Sequence, residues 1–331
     1  MPEYRMPPEW APHQRTWMAW PSSGYTLGEQ PDEARATWAA VARAVVEFEP
    51  VSMVVDPDAT DEAARSLDPR VEVVEAPLND AWMRDIGPTF VLDGNAPAAV
   101  DWVFNGWGGQ QWAQWDKDAN VARFVAEQAG VPVVSSPLVN EGGGIHVDGE
   151  GTVLVTRTVQ LDPGRNPDWD QARVEAELRR TLGAERIIWL ERGLTRDYDE
   201  FGTRGHVDIV ATFCAPGTVL AHRQDDPEHP DHDVSRTIVE LLREAGLTVV
   251  EVPAPRATHD EHGPVDYSYI NHYVVNGGVI LCGFGEPEAD ARAAAIMADA
   301  YPGRRVELVD ARPLFARGGG IHCITQQQPA A

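Results

Sequence analysis

Apolar residues recur along this chain at two spacings that alternate in a fixed order. Between Pro31 and Phe48 the positions Trp38, Val41, Ala42, Val45 and Phe48 form a helical stripe, and the run Val51-Ser52-Met53-Val54-Val55 after it reads as a strand. The same order then returns. Val121, Phe124, Val125 and Ala129 predict a helix closed by Gly130, ahead of Val131-Pro132-Val133-Val134. Val174, Leu178 and Leu182 predict one closed by Gly183, ahead of Ile187-Ile188-Trp189-Leu190. Val234, Ile238, Leu241, Leu242 and Ala245 lead to Gly246 and Leu247-Thr248-Val249-Val250. Ala293, Ile296, Met297 and Ala300 lead to Pro302-Gly303 and Val306-Glu307-Leu308-Val309. A glycine just past the last apolar position takes up the left-handed turn that ends a helix, so this is the order of an α/β unit.

The intervening segments repeat as well. Gly151-Thr152-Val153-Leu154 returns as Gly217-Thr218-Val219-Leu220 and, loosely, as Gly277-Gly278-Val279-Ile280, at intervals of 66 and 60 residues. Just upstream lie Ile145-His146-Val147-Asp148, Gly205-His206-Val207-Asp208 and Ile270-Asn271-His272-Tyr273. A period near one fifth of the chain predicts a radial array of about five blades. A doubly wound sheet alternates the same elements, but it does not repeat a polar signature at each strand end. No linker-like stretch interrupts the pattern. The expectation is α/β: a five-bladed α/β propeller of ββαβ-like repeats with pseudo-fivefold symmetry, one closed domain over residues 1–331.

Composition narrows the partners. Hydrophobic residues at 43% suffice for a sizeable core, and 27 basic against 52 acidic residues leave a formal charge of -25. That field speaks against nucleic acid or an anionic membrane and favours a cationic substrate. Cys214, Cys282 and Cys323 show no Cys-x-x-Cys spacing, which fits a reducing compartment. The N-terminal stretch has no apolar core of a secretory signal, and no run approaches the roughly 18 apolar residues of a membrane span. A soluble, cytoplasmic protein is expected.

In a radial fold, equivalent strand ends converge on the axis. The candidates there are Asp85 in Trp82-Met83-Arg84-Asp85, Glu141 in Asn140-Glu141-Gly142-Gly143-Gly144, His206, Asp208 and Cys323. Glycines 318–320 let the backbone before Cys323 turn sharply and approach a ligand closely. Each residue also has a plainer reading. Cys323 is of a type that is commonly just packed. Asp85 can pair with Arg84, and Glu141 can take N–H groups of its own glycine loop. His206-x-Asp208, which on a strand would point both side chains one way, can be a packed histidine beside a capping acid. His146-x-Asp148 reads as its structural echo. With one cysteine and no clustered histidine pair, the set matches no usual zinc spacing, and no metal is expected. Trp112 and Trp115, three apart, suit the covered face of a helix, whereas the glycines before them suit a loop over a pocket.

Taken together these motifs resemble the agmatine deiminase and bacterial peptidylarginine deiminase family. The likeness rests on Trp82-Met83-Arg84-Asp85, Asn105-Gly106-Trp107-Gly108, Glu141 through Gly151, Gly205-His206-Val207-Asp208, and Gly319 through Pro329, and it starts at Met6-Pro7-Pro8-Glu9-Trp10. The resemblance implies a pentein fold and hydrolytic deimination of a guanidine, foremost agmatine to N-carbamoylputrescine and ammonia. It further implies Cys323 as nucleophile, His206 as general acid and base, Asp85 and Asp208 on the guanidinium nitrogens, and Glu141 supporting the histidine. Trp82 and Asn271 are expected among the substrate contacts. No cofactor is implied; the partner is a small cationic guanidine, and a homo-oligomer is admitted. Arginine or peptidyl-arginine deimination, amidine transfer, and a non-catalytic binding role remain as alternatives on the same fold. The run Thr203-Arg204-Gly205-His206-Val207-Asp208-Ile209 departs from the family's usual Thr-Asn-Gly-His-Val-Asp-Asn, as does Arg157-Thr158-Val159-Gln160-Leu161-Asp162 from Glu-Glu-Cys-Leu-Leu-Asn.

The residue types suit such chemistry on physical grounds. A guanidinium is planar and permanently cationic, so paired carboxylates can grip its N–H groups and offset its charge. A cysteine attacks as thiolate, and a nearby cation, from the substrate or from protonated His206, must favour that form.

Overall fold

The computed structural model describes residues 4–28, 30–260 and 262–330. All five anticipated helix, stop and strand units are present in it. The helices Pro31–Val46, Val121–Ala129, Gln171–Leu182, Asp231–Glu244 and Pro287–Ala300 each join two parallel strands. Those pairs are His13–Ala19 with Val51–Val55, Ala96–Val103 with Val133–Val139, Thr152–Thr156 with Arg186–Leu190, Thr218–Arg223 with Thr248–Pro253, and Gly278–Gly283 with Arg305–Asp310. Several second strands extend beyond the apolar run that announced them, because ladder pairing with the neighbour, rather than hydrophobicity, sets their ends.

Local chemistry explains the helix ends. Pro31 and Pro287 open their helices with acidic residues in the first turn, where a missing N–H costs nothing and the helix dipole favours negative charge. Asp170 caps the next by accepting from the Arg173 N–H at 2.8 Å. Gly130 and Gly183 close theirs at φ 67° and 71°, the left-handed region open to glycine. The apolar stripe of Pro31–Val46 (Trp38, Val41, Ala42, Val45) is fully buried, as is every residue of Val51–Val55.

On its other edge each first strand takes an antiparallel neighbour: Gln326–Pro329, Thr89–Asp93, Ile145–Val147, Ala211–Ala215 and Tyr273–Val275, in the same order. Mixed sheets of one internal plan thus recur five times among the described residues, besides a small ribbon of His259–Asp260 and Gly263–Pro264. The end of the chain completes the sheet that its beginning starts, and Trp17 Nε1 donates to Gln328 Oε1 across that seam at 2.9 Å. A short turn precedes each antiparallel strand: Met83–Ile86, Gly142–Gly144, Val207–Ile209, His322–Ile324, and the turn at 268–271. These turns pack on one another. No helix among the described residues is long and apolar enough to cross a membrane.

The expected helix face at Trp112 and Trp115 is absent, since residues 111–117 are turns joined by irregular chain. Trp115 instead packs against Gly106, whose φ of 69° and close ring contact leave no room for a side chain.

Gly183→Ala would place a left-handed alanine with its Cβ 2.4 Å from the Tyr4 carbonyl oxygen. We expect a loss of about 1–3 kcal/mol in stability from that strain. Urea unfolding monitored by circular dichroism measures it.

Candidate active site

The short turns bring the predicted polar residues together. Asp85, Glu141, His206, Asp208, Asn271 and Cys323 are all buried, Cys323 being 7% exposed. His206 and Asp208 do not lie on a strand, contrary to the sequence expectation: His206 leads into the turn Val207–Ile209 that holds Asp208. Both side chains nevertheless crowd one spot. A Cβ on Gly143 would lie 2.4 Å from His206 Nδ1 and 3.1 Å from Asp208 Oδ2, so that loop approaches them only as glycine.

Protonation follows from the neighbours. Glu141 lies between Arg165, whose Nε donates to both carboxylate oxygens at 3.0 and 3.1 Å, and His206 Nε2 at 3.1 Å. Burial alone would raise the Glu141 pKa, but Arg165 and His206 outweigh it and hold the group down to about 2. Burial likewise opposes the charge on His206, yet Asp85 and Glu141 lift its pKa to about 9. At neutral pH the ring is therefore an imidazolium. Its Nε2 is taken by Glu141; its Nδ1 is buried, without a hydrogen-bond partner among the described residues, 3.8 Å from Asp85 Oδ1.

Asp85 accepts from Trp107 Nε1 at 2.9 Å and from the Gly143 N–H at 3.2 Å. Burial pushes its pKa up to about 6, with His206 restraining the rise. Asp208 Oδ2 accepts from His322 Nδ1 at 2.7 Å, while Oδ1 is buried and unpartnered among the described residues. Burial raises the Asp208 pKa, but His322 foremost, with His206 and Arg84, lowers it further, so it stays ionised. Asn271 Nδ2 lies 3.3 Å from Cys323 Sγ, and Asp208 Oδ2 lies 3.7 Å from it. Burial, then the negative Asp208 and Asp85, push the Cys323 thiol well above its ordinary pKa.

Trp82, Trp107, Trp112, Phe201, Thr203 and Gly318 wall the space beside Asp85 and Cys323, which amounts to about 10 Å³. Outside it lies a larger pocket of about 280 Å³ bordered by Arg196, Asp199, Glu200 and Asp266, sharing Phe201 and Gly318 with the inner space. Phe201 stands at that boundary, stacked on Tyr25 at 3.7 Å between ring centroids and edge-on to Trp112. Its φ of 76° is unusual for a bulky side chain. Trp112 thus contributes to a pocket wall, the reading that its glycine-rich approach suggested.

Several partners escaped the sequence reading. Arg165 carries no motif. Asp197 shapes the loop before His206, its carboxylate accepting from the N–H groups of Thr203, Gly205 and His206 at 2.6, 2.7 and 3.0 Å. Glu9 and His322 were quoted in the motifs but given no role. Together with His146 they are close enough to bracket a metal ion. Their chemistry does not suit one: His146 Nδ1 accepts the Phe213 N–H at 3.1 Å, which leaves the hydrogen of the neutral ring on Nε2. Burial, only partly offset by Glu9, presses the His146 pKa down to about 3, and Arg84 already sets a guanidinium 3.7 Å from Glu9.

The state of the thiol is directly measurable. The difference in absorbance at 240 nm between the wild type and Cys323→Ala should show no thiolate at pH 7 in free protein. A thiolate signal at that pH would contradict the electrostatics above.

Comparison with known proteins gives concordant findings. The model of the Porphyromonas-type peptidyl-arginine deiminase family matches residues 5–329. A Streptomyces coelicolor protein provisionally assigned as an agmatine deiminase is 60% identical over 98% of this chain and 99% of its own. The agmatine deiminase of Pseudomonas aeruginosa is 40% identical over 99% of this chain and 96% of its own. Among solved structures, the agmatine deiminase of Enterococcus faecalis superposes with a TM-score of 0.92 at 32% identity, covering 99% of this chain and 96% of that one.

Proposed function

The chain belongs to the Porphyromonas-type peptidyl-arginine deiminase family, and on that premise we propose that it hydrolyses agmatine to N-carbamoylputrescine and ammonia. One observation carries the reading: Asp208 Oδ2 lies 3.7 Å from Cys323 Sγ, and Asp85 lines the same space with its Oδ1 3.8 Å from a buried His206 Nδ1 that has no hydrogen-bond partner among the described residues. The names of the relatives and the charge of -25 favour the doubly cationic agmatine. The whole chain acts as one catalytic domain in the cytoplasm. Its five like sheets serve as blades about a pseudo-fivefold axis, an arrangement supported by the recurring strand plan and by the packing of the short turns.

The mechanism follows from the charges. Asp85 and Asp208 take the guanidinium N–H groups and hold its carbon beside Sγ, with Trp82 and Asn271 lining the position. The bound cation supplies the positive charge that the free site lacks next to sulfur, so substrate binding itself favours the thiolate, its proton leaving to solvent. The thiolate adds to the guanidinium carbon. His206, its Nε2 anchored on Glu141, gives the Nδ1 proton to the departing nitrogen, and ammonia leaves a thiouronium on Cys323. Neutral His206 then accepts a proton from water as it attacks; collapse expels the thiolate and releases the ureido product.

A colorimetric assay for ureido product across agmatine, free arginine and peptidyl-arginine tests the substrate. We expect agmatine to be turned over most efficiently; turnover of arginine or peptide with none of agmatine would overturn the tail assignment. Cys323→Ser should lower kcat by several orders of magnitude, roughly the effect of removing an activated nucleophile.

The pH profile is also set. Below about 6 Asp85 gains a proton and can no longer hold a cation, so kcat/KM falls with falling pH. Above about 9 His206 loses the proton that the leaving group needs, so the rise with pH ends there. Between these limits kcat/KM is expected to climb with pH in steady-state assays, because the Cys323 thiol must also give up its proton, and Glu141→Gln should draw the break near 9 downward, because Glu141 is one of the groups that raise the His206 pKa.

A further inference from the structure

His322 precedes the cysteine in the chain, yet its ring turns away from the reaction toward the N-terminal segment. It is 1% exposed. Nδ1 meets Asp208 Oδ2 at 2.7 Å and Nε2 meets Glu9 Oε2 at 2.8 Å. A carboxylate accepts and does not donate, so satisfying both contacts requires a hydrogen on each ring nitrogen. Glu9 is itself fixed, its other oxygen accepting the Val274 N–H at 2.8 Å. It does not border the space beside Cys323. The motif around Glu9 thus gains a physical purpose that the reaction steps leave unused.

We propose that His322 is a positioning residue for the deimination reaction: a permanently protonated imidazolium, clamped between Glu9 and Asp208, that keeps Asp208 ionised and holds its Oδ2 so that Oδ1 remains for the substrate guanidinium. The proposal rests on the guanidine reading for the role of Asp208, and on geometry alone for the clamp. The charges close locally. Glu9 and Asp208 contribute two negatives, His322 and Arg84 two positives, with Arg84 Nε also donating to the His322 carbonyl oxygen at 3.2 Å. Without the imidazolium, Asp208 would have only His206 and Arg84 to set against its burial and the acidic Asp85, and would tend to take up a proton. The other titratable groups facing the ring are Arg84, which opposes its charge, and His146 and His272, both pressed toward neutrality by burial. Burial and Arg84 work against protonation of His322, whereas Glu9 and Asp208 overcome them and raise its pKa. Cys323 Sγ lies 3.7 Å from the same Oδ2 as a thiol and adds no charge in the free protein.

Two measurements test the clamp. The first is 15N NMR of the imidazole nitrogens in the intact protein, which needs no substrate. His322 should show two protonated nitrogens at pH 7.5, and Glu9→Gln should lower its pKa by roughly 1–3 units, the usual effect of removing an opposite charge at contact. A neutral His322 in the wild type, or a pKa unmoved by Glu9→Gln, overturns the proposal. The second is kcat/KM against pH for His322→Asn, whose amide can replace the Nδ1 donor but carries no charge. The acid limb should move up by roughly 1–3 pH units, as Asp208 loses its counter-ion. KM for agmatine at pH 7 should rise about tenfold or more, the scale of a weakened hydrogen bond to a charge. A fall in kcat with KM and the acid limb unchanged would mark a merely structural residue and overturn it. Should His322→Asn fail to fold, the Glu9→Gln titration decides. Should the wild type leave agmatine untouched, the guanidine reading fails while the NMR result still decides the clamp.

Discussion

Ionised side chains held out of water need a counter-charge within a few ångströms, and the arrangement of this molecule follows from meeting that need at one spot. Asp85, Glu141 and Asp208 are buried there with His206, His322 and Arg165 interleaved among them. An isolated carboxylate in such surroundings would neutralise itself. Pairing divides the acids into two kinds: Glu141, held by Arg165, and Asp208, held by His322, stay charged throughout. Asp85, whose neighbours include two further acids, is left near the edge of protonation. Asp208 Oδ1 is left buried without a partner among the described residues, close to Cys323, and on the proposed reading that is the place a guanidinium fills.

That demand explains features of the fold that hydrophobic burial does not. Partners must come from distant parts of the chain, so the turns ahead of the five antiparallel strands have to meet. Glu9, near one end of the chain, reaches His322 near the other, and Gln326–Pro329 pairs with His13–Ala19 beside them. Close approach is possible only where side chains are missing: Gly143 lies against His206 and Asp208, and Gly319 against Trp82 and Cys323. The three-glycine runs are therefore spacers for charge packing as much as turn formers.

Much of this was legible in the sequence, but unevenly. Helices and strands were announced by apolar period and glycine stops, because these depend on local chemistry. Asp85, Glu141, His206, Asp208, Asn271 and Cys323 were singled out through repeated strand-end signatures and a family resemblance, and the structure places them together. The geometry carrying His206 and Asp208 was misjudged, since a two-residue spacing reads as a strand unless the turn Val207–Ile209 is known. Arg165 and Asp197 could not be read: each acts through contacts that neither period nor motif encodes, Arg165 lying 24 residues from Glu141. Trp107 stands in the sequence only as part of the motif Asn105-Gly106-Trp107-Gly108, yet its indole N–H is a hydrogen-bond donor to Asp85.

The central claim is that the electrostatics single out Cys323, although all three cysteines are buried. Burial pushes the Cys214 and Cys282 thiols up to about 11 and about 12, and both sit in strands whose apolar neighbours offer no carboxylate pair for a cation. Rapid mixing with agmatine, acid quench within the first turnover, and peptide-level mass spectrometry test this most directly. The account predicts a transient increment equal to agmatine less ammonia on the peptide containing Cys323, decaying as ureido product appears. The same increment on the peptide of Cys214 or Cys282 would contradict it.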